Sequence, residues 1–268
     1  MNKLLASAAA LAAFAAVGTA GAADLPMKAP PMAVAAPVAS WTGCWISGGV
    51  GYGMWNQDQN TETLPGLQAT STTNTDGGRG WLGRAGVGCD YQFTPSFVIG
   101  VFGDYDWMNL KGTNAFQNNG IPLGTFGTPA SGFEKESSAW AVGARLGYVV
   151  TPGLLTFVDG GYTQTRFDQI NFFSTTLPVI NANAFLPQTT YRGWFIGGGT
   201  EYALSWFPVR GLYWKTEYRF AEYRAQDIAT AGIGATPGFG QHTQPFVQTV
   251  TSSLVWRFNW GGPVVAKY

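Results

Sequence analysis

The chain has 268 residues, with 15 Lys and Arg against 15 Asp and Glu and one His, so its formal net charge is zero. That balance offers no basic surface for nucleic acid. At 11% charged and 15% aromatic residues, against the roughly one quarter charged that is usual in soluble domains, the composition is hard to reconcile with a surface covered by water.

Residues 1–22 read as a signal peptide: Lys3 precedes an apolar run from Leu4 to Val17 and then the small residues Ala20 to Ala23, the three parts of a secretory leader. Residues 23–40, with Pro26, Pro30, Pro31 and Pro37 among alanines, read as an extended periplasmic linker. No later segment approaches the roughly 18 consecutive apolar residues of a membrane helix. If the mature chain spans a membrane, it spans as a barrel.

Residues 41–258 carry a hairpin written three times: Trp81 to Trp107, Trp140 to Phe167 and Trp194 to Phe220, each with a Tyr ahead of a Pro-containing turn. Split by the two-residue period of a strand, the faces are unequal. In the first copy Trp81, Ala85, Val87, Cys89, Tyr91 and Phe93 oppose Arg84, Gly86, Gly88, Asp90 and Gln92; Phe102 breaks the pattern in the returning strand. Cys44 to Trp55 and Phe246 to Phe258 add one strand each, for eight in all. Short turns alternate with the long polar segments 56–79, 108–137, 168–190 and 221–245, the arrangement of an outer-membrane barrel. The expected fold is all-β: an eight-stranded antiparallel transmembrane barrel, up-and-down, with short periplasmic turns and four long extracellular loops. Tryptophans near strand ends, Trp41, Trp81, Trp107, Trp140 and Trp256 among them, are expected in the interfacial girdles, although Trp45 and Trp55 have the parity of the interior.

The run Ala23-Asp24-Leu25-Pro26, the segment Trp41 to Gly53 and the closing Leu254-Val255-Trp256-Arg257-Phe258 resemble the small outer-membrane β-barrel proteins of alphaproteobacteria, within the wider OmpA-like and opacity-protein barrels. The resemblance covers essentially the whole mature chain except the loops. It implies an outer-membrane location, contact with outer-membrane lipid and lipopolysaccharide, and insertion by the β-barrel assembly machinery through a terminal aromatic. Trp256 and Phe258 are the candidates for that signal, and the extra tail 259–268 is a departure from the family. The resemblance further implies covalent attachment to peptidoglycan through a mature N-terminus beginning Ala23-Asp24, the alternative being an unattached tail; an extended linker would span roughly 50 Å.

The chemistry on the inward parity is a set of ions: Arg84, Arg145, Lys215, Arg219 and Arg257 with Asp90, Asp104, Asp106, Asp159, Glu201 and Glu217. Unpaired ions in a small lumen are costly, so these residues are expected to form one connected ladder, acting as a structural plug or as a gate whose pairs rearrange. Cys44 and Cys89 are open to two readings, a disulfide or two lipid-facing thiols. His242 is flanked by Gln241, Thr243 and Gln244, which do not make a catalytic constellation, and no metal site or cofactor is expected. The Phe residues 116, 126, 133, 172, 173 and 185 of the polar segments pack on the rim or dock a partner. The functional expectation is a structural barrel supporting envelope integrity, with loops available for adhesion or host contact. A narrow porin is the alternative, and an envelope enzyme a third reading.

Overall fold

Inward glycine and ion alternating with outward hydrocarbon makes a sheet whose two faces want different surroundings, and closing it into a ring leaves no unpaired edge. The computed structural model describes residues 40–116, 130–174, 181–232 and 238–258. Twelve strands are seen among them: β1 (Gly43–Thr63), β2 (Gln68–Ala69), β3 (Asn74–Gln92), β4 (Phe97–Phe116), β5 (Ala130–Thr151), β6 (Leu154–Phe167), β7 (Ile170–Ser174), β8 (Asn181–Leu186), β9 (Thr189–Ala203), β10 (Leu212–Tyr223), β11 (Gln226–Ala229) and β12 (Phe239–Phe258).

The long strands β1, β3, β4, β5, β6, β9, β10 and β12 follow one another antiparallel, and β12 returns to pair with β1 from Cys44↔Phe258 to Thr63↔Phe239. This is the expected eight-stranded up-and-down barrel. The short strands extend it: β7 pairs the start of β5, β8 pairs β7, and β11 pairs β12 beyond the end of β10.

Much of what reads as loop is therefore strand. β1 has 21 residues, a contour of about 70 Å at roughly 3.3 Å per residue, whereas about 9–11 tilted residues cross the apolar band. The barrel continues well beyond the membrane on its long-loop side. A register irregularity between Glu136 and Ser138 shifts the parity of β5: Ala139, Ala141 and Arg145 point inward below it, but Glu134 and Glu136 do so above it.

The outward band is apolar as expected, with Val50, Trp81, Val101, Trp107, Val142, Trp194, Trp214 and Leu254 exposed. Trp41, just ahead of β1, is a correction: it is only 1% exposed and packs inside the barrel against Tyr213, ring centroids 5.0 Å apart. Trp45 and Trp55 are also inside, and glycines make room for them. A Cβ at Gly88 would collide with the Trp45 indole, and one at Gly78 or Gly112 with that of Trp55.

Of the phenylalanines in the polar segments, Phe172 is buried while Phe133 is 74% exposed and lies 5.7 Å from Phe173. The leader, Ala23, Asp24, Phe126 and the tail 259–268 lie outside the described residues.

Candidate functional site

Inward parity on seven strands, β3, β4, β5, β6, β9, β10 and β12, brings the ions together at the middle of the barrel and toward its periplasmic end. Ten of the eleven expected residues form ion pairs among the described residues, but as two clusters and not one ladder.

The first centres on Glu217 of β10. Its carboxylate accepts from Arg84 at 2.8 Å, Lys215 at 2.9 Å and Arg219 at 2.7 Å. Arg84 also grips Asp106 with Nε at 2.6 Å and Nη2 at 2.7 Å, and Arg219 grips Asp104 through both terminal nitrogens at 2.9 and 2.8 Å. These are the bidentate geometries that make Arg–carboxylate pairs strong.

The second is a ring of alternating charge. Arg145 bonds Asp90 and, at 3.2 Å, Glu201; Arg257 bonds Asp90 and Glu201, each at 2.7 Å. Between the clusters lies Trp45, with Arg145 over its ring at 4.9 Å and Lys215 at 5.3 Å. Arg257 in turn stacks 4.9 Å from the Trp41 ring and donates to the Trp41 carbonyl at 3.3 Å, closing the periplasmic end.

Asp159 is the exception to the expected ladder: it is buried, forms no ion pair among the described residues, and its Oδ1 has no hydrogen-bond partner. Against three cations the Glu217 cluster holds Glu217, Asp104 and Asp106, so Asp159 is the surplus acid.

Above these clusters lies a layer not foreseen from the sequence. Asn114 donates to Gln59 Oε1 at 2.9 Å and to Glu134 Oε2 at 3.1 Å, and accepts from Gln241 at 3.1 Å. Thr165 donates to Glu136 at 2.6 Å, and the Tyr191 and Thr243 hydroxyls are 2.6 Å apart. Phe167, Ile170, Phe172 and Leu186 bury apolar surface beside this layer. Amides and hydroxyls at every second residue, as in Gln57-Asp58-Gln59, were the available signal, and they read as loop composition.

The space left over is small. A cavity lined by Arg84, Asp106, Arg219 and Tyr223 has a volume of about 20 Å3, and another beside Glu134 and Tyr191 about 10 Å3; each holds at most one water.

Cys44 and Cys89 face each other across β1 and β3 on the outer face and are joined by a disulfide, with Cα atoms 3.9 Å apart. Phe258 pairs directly with Cys44, and its ring lies 4.4 Å from that of Trp256.

At the outer rim His242 has different company from its sequence neighbours. Its Nδ1 is 2.5 Å from Asp227 Oδ1, and Glu62 of β1 lies within the same group, with ligand-type atoms no more than 4.8 Å apart. Burial, then the nearby Asp227 carboxylate, raises the Glu62 carboxyl above its ordinary value.

The Autotransporter beta-domain family model matches residues 32–172. The 31 kDa outer-membrane immunogenic proteins of Brucella melitensis biotype 1 and Brucella suis biovar 1 are 26% identical over 213 residues, spanning 75% of this chain and 80% of theirs. Among solved structures the chain is similar to OprG from Pseudomonas aeruginosa, with 11% identity, coverage of 81% of this chain and 97% of that one, and a TM-score of 0.46. It is also similar to Ail of Yersinia pestis, with 11% identity, 80% and 99% coverage and a TM-score of 0.33.

Proposed function

Because the chain belongs to the Autotransporter beta-domain family and is an outer-membrane β-barrel, we propose that its role is structural, an occluded barrel that supports the integrity of the envelope. The observation that carries this is the interlocked pairing of Arg84, Lys215 and Arg219 on Glu217, backed by the Asp90–Arg145–Glu201–Arg257 ring. Side chains that consume each other's charge and leave space for single waters make a strut, not a conduit. On this reading the protein is not an enzyme, the linker ties the barrel to peptidoglycan through Ala23-Asp24, and the extended rim is available for adhesion or host contact.

A strain lacking the protein should leak periplasmic protein and become sensitive to detergent. Wild-type protein should restore resistance, and so should a variant lacking the paired rim aromatics Phe133 and Phe173. A deletion strain with intact detergent resistance would overturn the structural role. Muramidase-digested envelopes should yield the mature N-terminus joined to a muropeptide; a free N-terminus alone would reject the tether. The second reading, a narrow porin, rests on the same charged lining, which would form a polar path if its pairs opened.

A further inference from the structure

Three side chains meet on the outer wall of the barrel near its long-loop rim, where β11, β12 and β1 lie side by side. Asp227 stands directly opposite His242, and His242 opposite Asn60, which puts Glu62 one diagonal step away with the same parity. Gly240, opposite Glu62, places no side chain between Glu62 and β11, and a Cβ there would collide with the Leu64 side chain and the Ile228 carbonyl. His242 Nδ1 is 2.5 Å from Asp227 Oδ1, and the ligand-type atoms of all three residues lie within 4.8 Å of one another.

Glu62 is only 4% exposed, and its Oε1 is buried without a hydrogen-bond partner. In the ion clusters of the lumen arginines answer the carboxylates, but β1 and β11 contain no Lys or Arg, and β12 has only Arg257 at its far end. The Glu62 and Asp227 carboxyls nonetheless come within hydrogen-bonding reach of each other. Two carboxylates that close repel unless a cation, a proton or a metal ion, lies between them. The imidazole beside them selects which cation fits.

We infer that Glu62, Asp227 and His242 bind a divalent transition-metal ion of the Zn2+ type, with its remaining position open to water. One imidazole nitrogen with carboxylate oxygens suits such an ion, whereas Mg2+ and Ca2+ take oxygen ligands. Donor atoms around a tetrahedral Zn2+ stand about 3.3 Å apart at its ordinary bond lengths. The His242 and Asp227 side chains, 44% and 36% exposed, are free to adjust to that spacing and leave the ion a way in, while the buried Glu62 fixes its place. Three protein ligands with an open position is the arrangement of an accessible zinc site. Because β12 and β1 form the seam where the last long strand meets the first, the ion clips the short β11 to the closure of the barrel, and binding to the folded chain stabilises that rim.

The test is calorimetric titration of Zn2+ into the refolded, detergent-solubilised full chain, made without an affinity tag and freed of metal by a chelator. His242 is the one histidine in the sequence and the two cysteines are joined to each other, so few other groups compete. Wild type should take up one Zn2+, prefer it to Mg2+ and Ca2+, and keep its heat-modifiable migration to a higher temperature with Zn2+ than without. His242→Gln and Glu62→Gln should each weaken binding by about tenfold or more and lose the thermal shift. Asp58→Asn, which alters an acid on the same outward parity that accepts from Thr75 at 2.6 Å, should bind as wild type does. No saturable Zn2+ binding, equal affinity for Mg2+, undiminished binding by either site variant, or an equal loss in Asp58→Asn would each overturn the assignment. The metal preference of wild type stands as a test even if a variant does not refold.

Discussion

Glu217→Ala removes the one side chain that three cations share. Three charge-assisted hydrogen bonds of 2.7 to 2.9 Å disappear, each worth about 1.5–3 kcal/mol. Arg84 keeps Asp106 and Arg219 keeps Asp104, so those two retain partners, while Lys215 loses its only ion pair among the described residues. Leaving one buried ammonium uncompensated should cost about 3–5 kcal/mol, which for a barrel of this size lowers the unfolding temperature by about 6–20 °C. The assay is the temperature at which heat-modifiable migration is lost, together with urea unfolding in a fixed detergent. The double replacement Lys215→Met with Glu217→Met should be close to wild type, because both desolvation costs vanish with the pair. A loss below about 1 kcal/mol for Glu217→Ala, or a double variant as damaged as the single, would refute an interlocked network.

Replacing Cys44 and Cys89 by Ala opens a loop with a sequence separation of 45 and should cost about 2–4 kcal/mol in unfolding stability; an unchanged urea midpoint would contradict a native disulfide. Gly88→Ala puts a methyl group against the Trp45 indole and should destabilise by about 1–3 kcal/mol, with near-ultraviolet circular dichroism reporting the displaced ring. Burial raises the Asp76 carboxyl above its ordinary value, against the opposing effect of hydrogen bonds from the Ala115 amide, Asn74 and Gln59. The folded chain thus holds this proton more tightly than the unfolded one, so the stability Asp76 contributes is present below the unfolded carboxylate pKa of about 4 and is lost as pH rises through the raised folded value. Relative to Asp76→Asn, wild type should weaken over that window in a pH series of urea unfolding; wild type gaining stability relative to Asp76→Asn as pH rises would be the wrong sign.

The membrane part of the barrel was legible because lipid and lumen ask opposite things of neighbouring residues, so Trp81 against Arg84 or Trp214 against Lys215 declares which face is which. Above the membrane that contrast ends. Gln57 and Asp58 point to opposite sides, one into the barrel and one into water, yet both are polar, and the strand there reads as loop. The shift of parity between Glu136 and Ser138 hid Glu134 and Glu136 as well, since no hydrophobic alternation marks it. The inward ions were legible as a set, but their division into two clusters depends on the Trp45 indole between them, and the isolation of Asp159 depends on which cations reach it. Pairwise proximity across strands, as for His242 with Asp227 and Glu62, depends on register, which composition does not carry; for Cys44 and Cys89 the shared outward parity leaves a disulfide as one of two readings, and the register of β1 with β3 decides for it.

The central claim is that the lumen is closed by its own charges, and planar-bilayer recording of the refolded wild-type chain beside Arg145→Ala and Glu217→Ala tests it most directly. Wild type should be silent while migrating as a folded barrel, and a variant that opens the network should admit small stepwise currents. Regular stepwise currents from wild type, changed in size or selectivity by those substitutions, would contradict the occluded barrel and establish a pore.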